Sequence, residues 1–153
     1  MPKKSPVLPK SPPRRGPYLC AAMLAEKVLQ DSDSVPSVIR IVDRLQVPRN
    51  LGLPPMGAPL QLAVHIFVLF KAGTAVGKYQ LRFIQVGPSG ERTQLAISKL
   101  SFDAKQLGTM SNAPLRIKWD GFGRYWLDLF IKNQFCTTIP LDIQPAPLGK
   151  GGS

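Results

Sequence analysis

From Leu115 to Ile143 apolar side chains recur at every second position, a period that a pleated strand satisfies and a helix does not. Leu115, Ile117 and Trp119 alternate with Arg116, Lys118 and Asp120. After a Gly121-Phe122-Gly123 turn, Tyr125, Leu127, Leu129 and Ile131 share one face. Lys132-Asn133-Gln134 then makes a tight connection, and Phe135, Thr137, Ile139, Leu141 and Ile143 are expected on the inward face of a last strand. The same period appears upstream in Tyr79, Leu81 and Phe83, and Gly87-Pro88-Ser89-Gly90 supplies the turn before a further strand at Arg92–Phe102. Leu62–Phe70 is rich in β-branched and aromatic residues and predicts a strand covered on both faces. Short strands at this spacing predict an all-β fold, a two-layer, immunoglobulin-like antiparallel β-sandwich.

The first elements are less regular. Leu19, Met23 and Lys27 with Ala22, Glu26 and Gln30 fit two stripes of a helix, and Tyr18–Ala25 fits equally a buried strand with a helical turn at Glu26–Gln30. The strand is the reading taken for 18–25, and Asp31-Ser32-Asp33-Ser34 is a loop on either. Ser37–Val47 is expected to form one strand with Ile39, Ile41, Leu45 and Val47 on one face, where Asp43 intrudes as a bulge or a paired carboxylate. Before them, residues 1–17 hold six prolines and almost nothing able to pack, which predicts a disordered basic N-terminal arm with polyproline-II character. The expected organisation is arm 1–17, sandwich 18–144, and a flexible Pro- and Gly-rich tail 145–153.

The chain of 153 residues is long enough for one domain with its own core. Its net charge is +11, of which Lys3, Lys4, Lys10, Arg14 and Arg15 supply +5 with no acid among them. The remaining 15 basic and nine acidic side chains give the rest a charge of +6. Such a balance draws polyanions at long range without making nucleic acid the function. Cys20 and Cys136 lie far apart in sequence and suggest no disulfide framework, so a reducing, cytoplasmic setting is expected. The eight-residue run Tyr18–Ala25 is too short for an export signal and is followed by Glu26-Lys27. Leu62–Phe70 is far shorter than the roughly 20 residues of a spanning helix, so no membrane association is expected.

Two segments carry a resemblance. Leu19–Gln30 followed by Ser37-Val38-Ile39-Arg40-Ile41-Val42-Asp43-Arg44, and Gly123-Arg124-Tyr125-Trp126-Leu127-Asp128 followed by Ile139-Pro140-Leu141, resemble the opening and closing strands of a family of small uncharacterised bacterial β-sandwich proteins. Members often carry a cysteine just before the glutamate, where this chain has Ala25. The resemblance implies the sandwich and a bacterial, soluble setting; the family has no assigned activity and carries over no site.

Catalysis needs reactive groups that can converge. The single histidine, His65, lies in the most apolar strand, where a hydrogen-bonded core or interface role is the usual one. No nucleophile elbow, zincin helix or phosphate-binding loop occurs, and one histidine with two distant cysteines makes no ordinary zinc site. Asp31 and Asp33 fit turn formation, and a ligand pocket built from Asp43, Arg44 and His65 would require all three to line one cavity. The expectation is a protein that is not an enzyme and uses no cofactor or metal.

Surfaces offer more. If Tyr125, Leu127, Leu129 and Ile131 fill the core, Trp126 and Phe130 stand on the opposite face flanking Asp128. Those three residues either anchor a protein partner or a second copy, or lie beneath the Asn50–Pro59 loop. The alternative partner is nucleic acid, contacted by Lys3, Lys4, Lys10, Arg14 and Arg15 of the arm. Arg40, Arg82, Arg116, Lys118, Arg124 and Lys132 are expected to point outward from several strands, and the sequence leaves open whether they form one stripe.

Overall fold

Nine strands and their turns account for the regular structure in the computed structural model, which describes residues 5–11, 15–49, 61–103, 105 and 108–149. In chain order they are β1 (Tyr18–Gln30), β2 (Pro36–Ile41), β3 (Arg44–Val47), β4 (Gln61–Lys71), β5 (Gly77–Val86), β6 (Arg92–Phe102), β7 (Gly108–Lys118), β8 (Gly123–Ile131) and β9 (Gln134–Pro145). They form a four-stranded antiparallel sheet in the order β2-β1-β4-β7 and a five-stranded sheet in the order β3-β9-β8-β5-β6. The all-β class and the two sheets therefore match the alternation. The purely antiparallel expectation does not, because β3 runs parallel to β9 and makes the second sheet mixed.

The core lies between the sheets and takes every second residue from each. Val64, Ile66, Val68 and Phe70 of β4 and Leu115 and Ile117 of β7 meet Leu81, Phe83, Leu127, Leu129 and Leu141 of the five-stranded sheet, and all are buried. At one end Gln85, 2% exposed, occupies an inward position among them. Its amide donates to the Lys118 carbonyl (2.8 Å) and its Oε1 accepts from the Lys118 N–H (2.9 Å). A buried amide is tolerated when it is hydrogen-bonded, and this one fastens β5 of one sheet to the end of β7 in the other.

Three local readings are corrected. Residues Glu26–Gln30 continue β1 as strand, because Lys27, Val28 and Leu29 pair with Ile39, Val38 and Ser37 of β2, and a helical turn would forfeit that ladder. Residues 37–47 are two strands in different sheets. Arg40 adopts a left-handed φ of 51°, and the chain crosses at Val42–Asp43 from the four-stranded to the five-stranded sheet. Ile39 and Ile41 therefore face outward, Ile41 with 67% of its surface exposed, while Val42, Leu45 and Val47 reach the core. Asp43 is exposed at that crossing, and its carbonyl accepts from the Asp142 N–H at 3.0 Å. Phe135 is 60% exposed rather than inward, because a bulge at Cys136 shifts the β8–β9 register between Leu129↔Thr137 and Phe130↔Phe135.

Candidate interaction face

The outer face of the five-stranded sheet is set by the strand pairs. Inward Leu127 and Leu129 force Trp126, Asp128 and Phe130 of β8 to the other side. On β5, Val86, Ile84 and Arg82 lie directly opposite them; on β9, Pro140 and Thr138 lie opposite Trp126 and Asp128. Ile97 of β6, opposite Arg82, extends the apolar surface to the sheet edge and is 46% exposed. The three residues singled out by alternation thus share one face. Trp126 is 40% exposed and Asp128 and Phe130 are half-buried. The Asn50–Pro59 loop, with the neighbouring masking role considered for it, lies outside the described residues.

The aromatic groups are held in place. Arg124 makes a two-pronged ion pair with Asp142, Nε to Oδ1 at 2.7 Å and Nη2 to Oδ2 at 2.9 Å, and its guanidinium sits 5.8 Å from the Trp126 ring centre. Accepting these bonds holds the Asp142 carboxyl below its usual range, and the same pair raises Arg124. Phe130 meets Phe135 edge to face at 5.8 Å, a contact that exists only because of the Cys136 bulge. Lys132, left-handed in the β8–β9 turn, places its ammonium 3.9 Å from the Tyr79 ring centre.

Two polar atoms on this face lack partners. Arg82 Nε and Thr138 Oγ1 are covered yet form no hydrogen bond among the described residues. Asp128 lies opposite Thr138 on β9 and two residues along β8 from Phe130, which is opposite Arg82, and its side chain makes no hydrogen bond or ion pair among the described residues. Sequence pattern located Asp128 but not these neighbours. Arg82 was visible only as one outward basic residue, and Thr138 only as a polar position beside Ile139.

At the base of β8, Tyr125 is fully buried up to its hydroxyl, which accepts from the Asp120 N–H (2.7 Å) and donates to the Gly121 carbonyl (2.7 Å). Burial pushes the phenol up from its ordinary value. Asp120 in turn accepts from the Ser89 hydroxyl (2.6 Å) and the Ser89 N–H (3.0 Å), which lower its carboxyl below the ordinary value. The buried tyrosine thus braces the β7–β8 turn, and the Asp120 carboxylate ties that turn to the β5–β6 turn. The signal for it was a tyrosine two residues after Gly121-Phe122-Gly123, a position that alternation marks only as core.

The other sequence-derived residues do not converge. Lys3, Lys4 and Arg14 lie outside the described residues; Lys10 and Arg15 are exposed, and the Arg15 carbonyl accepts from the Thr74 N–H (3.0 Å) and hydroxyl (2.6 Å) in the β4–β5 turn. The outward basic residues are divided between both sheets, and Arg40, Lys118 and Arg124 are paired with Glu26, Glu91 and Asp142, so they make no continuous stripe. His65 donates through Nδ1–H to the Glu26 carbonyl at 3.1 Å on the outer side of the four-stranded sheet, away from Asp43 and Arg44 at the crossing between sheets. The ligand pocket considered for those three is therefore not formed. Among the described residues no group of three or more His, Cys, Asp or Glu is placed to hold a metal ion, and no helix is long and apolar enough to cross a membrane. Cys20 and Cys136 are both free thiols.

No family model matches the chain, and no curated protein matches its sequence.

Proposed function

We propose that this protein is a non-enzymatic interaction module, an immunoglobulin-like β-sandwich that binds a protein partner or a second copy through the outer face of its five-stranded sheet. The observation that carries the reading is the coincidence, on that one face, of two aromatic anchors, Trp126 and Phe130, with an Asp128 carboxylate that makes no hydrogen bond or ion pair among the described residues. Interface hot spots favour tryptophan, tyrosine and arginine in positions held rigid before binding, because less side-chain freedom is then lost. Trp126 meets that condition through the Arg124–Asp142 clamp. A partner donating hydrogen bonds to Asp128 would engage a half-buried carboxylate, and hydrogen bonds to charged groups contribute about 1.5–3 kcal/mol.

Strand order supports the immunoglobulin-like part of the proposal. Neighbours β1-β4-β7 follow the order A-B-E of that fold, and β9-β8-β5-β6 follow G-F-C-C′. Tyr125, near the start of the strand corresponding to F and bonded to the backbone of the preceding corner, resembles its tyrosine corner. The chain departs from antibody domains in having free cysteines and no tryptophan on β5, and in placing β2 beside β1.

The test is self-association and partner binding of the intact protein, by sedimentation and by affinity capture followed by identification, compared with Trp126→Ala and Phe130→Ala. Loss of association in both folded variants supports the reading; unchanged association in both defeats it. The second reading, an accessory protein that contacts nucleic-acid phosphates through its basic arm, is favoured by the exposure of Lys10 and Arg15 beside a cluster without acids. Deleting residues 2–16 should then weaken DNA or RNA binding and flatten its salt dependence.

A further inference from the structure

The four edges of the two sheets are not equivalent. β3 is four residues long; β2 has six, opens on Pro36 and is broken by left-handed Arg40; β7 carries Pro114, which lacks a backbone donor, in its interior. β6 has eleven residues with neither proline nor glycine, and from Ala96 to Phe102 it pairs with β5 without a break in register. No strand is hydrogen-bonded to its other side among the described residues, although β7 of the four-stranded sheet comes close to it. Seven unbroken residues offer an edge of roughly 23 Å, with alternate N–H and C=O groups directed away from β5.

The side chains along this edge select its occupant. β6 contains Arg92 and Lys99 and no acid. At its start a cleft of about 370 Å³ opens between the two sheets, lined by Thr93, Gln94 and Leu95 of β6 and by Pro114, Arg116 and Lys118 of β7. Lys118 is engaged by Glu91 at 3.1 Å, whereas Arg92, Lys99 and Arg116 have no acidic partner among the described residues. Ile97 supplies an exposed apolar contact between Arg92 and Lys99. A second β6 strand would bring the same cations against these, while an extended chain of alternating acidic and apolar residues would neutralise them.

We propose that β6 is a strand-addition site for an acidic extended peptide, which continues the five-stranded sheet, directs the carboxylates of its outward face to Arg92 and Lys99 and turns its alternate apolar side chains to the core side, beside Leu100 and Phe102. Main-chain hydrogen bonds supply the pairing and alternate side chains the selectivity. The inference rests on the interaction-module reading and assigns it a partner chemistry and an edge.

The probe is the peptide acetyl-Glu-Val-Glu-Val-Glu-Val-Glu-amide, titrated into the full-length protein and followed by amide NMR and hydrogen exchange. Binding should shift Ala96–Phe102 and slow exchange of their outward amides at least tenfold. A lysine-for-glutamate peptide should not bind, nor should the acidic peptide N-methylated at alternate residues, which keeps its charge but loses the ladder. The double substitution Arg92→Glu, Lys99→Glu should weaken binding about tenfold, as expected for two reversed surface charges, with urea unfolding confirming that the variant is folded. Equal binding of the N-methylated peptide, no protection at β6, or dimerisation through β6 in the absence of peptide would each overturn the proposal. If Trp126→Ala abolishes peptide binding while the β6 double substitution leaves it intact, the outer-face reading stands and the edge inference falls. If neither change matters to any association of the protein, the underlying reading falls with it.

Discussion

Removing one oxygen, by Tyr125→Phe, tests the brace that holds the β7–β8 turn at the base of β8. The ring would stay in place because it is fully buried by the core, so the change opens no cavity larger than a hydroxyl. What it removes is the acceptor of the Asp120 N–H and the donor to the Gly121 carbonyl, each at 2.7 Å. Two hydrogen bonds lost at about 0.5–1.5 kcal/mol each, with their half-buried backbone partners only partly recovered by water, give a destabilisation of about 2 kcal/mol. In a domain of this size that lowers Tm by about 4–8 °C. Urea unfolding followed by tryptophan fluorescence measures it, and an unchanged m-value would show that the loss is one of stability alone. The phenol gives a second handle. Its folded pKa is raised above 10.0, so its contribution is complete below that value and disappears as pH rises through the folded pKa. Tyr125→Phe should therefore also reduce the alkaline sensitivity of unfolding. A destabilisation under about 0.5 kcal/mol would refute the reasoning, since surface substitutions away from any structural device fall in that range.

Other perturbations address separate parts of the structure. Gln85→Ala leaves the Lys118 N–H and C=O without their inter-sheet partner and should cost about 2–3 kcal/mol in urea unfolding. Leu127→Ala, in the middle of the core, should cost about 2–5 kcal/mol by the same measurement. Asp142 and Asp120 both have folded pKa values below 3.8, so the stability they contribute is complete above that pH and is lost as pH falls through the lowered values; Asp142→Asn should flatten the acid limb of a Tm-against-pH curve. Burial pushes the Cys136 thiol up, so a thiol reagent near neutral pH should modify exposed Cys20 well before Cys136, as mass mapping of the two peptides will show.

Where each strand has one dry face and one wet face, its side-chain period survives in the sequence. Leu115, Ile117, Tyr125, Leu127 and Leu129 were legible for that reason, and their alternation alone located Trp126, Asp128 and Phe130 on the opposite side. The period fails wherever the backbone resets it. Arg40 and the crossing at Val42–Asp43 invert the faces of residues 37–47, so Ile39 and Ile41, which look like core, are exposed. The bulge at Cys136 does the same to Phe135. Gln85 reads as a polar interruption of an apolar stripe; its meaning lies in the Lys118 backbone, 33 residues away and in the other sheet. Pairing across such distances leaves no local trace, which is also why the unoccupied edge of β6 could not be foreseen from Arg92–Phe102 even though those strand limits could.

Apolar exposure alone does not choose between the two outer faces, because the four-stranded sheet also presents Leu29, Ile39 and Ile41 to solvent. The two surfaces differ in what holds their side chains. Ile39 and Ile41 belong to a short edge strand interrupted at Arg40, where aliphatic side chains gain area on binding but no fixed polar geometry. Trp126 lies in the centre of the five-stranded sheet, paired on both sides, under a guanidinium that a carboxylate immobilises. Among the described residues the latter face combines an anchor of low residual freedom with an Asp128 carboxylate that has no partner, and binding strength follows that combination rather than area. Substituting Ile41→Ser should consequently leave association unchanged while Trp126→Ala removes it; the reverse outcome in sedimentation would move the interaction surface to the other sheet.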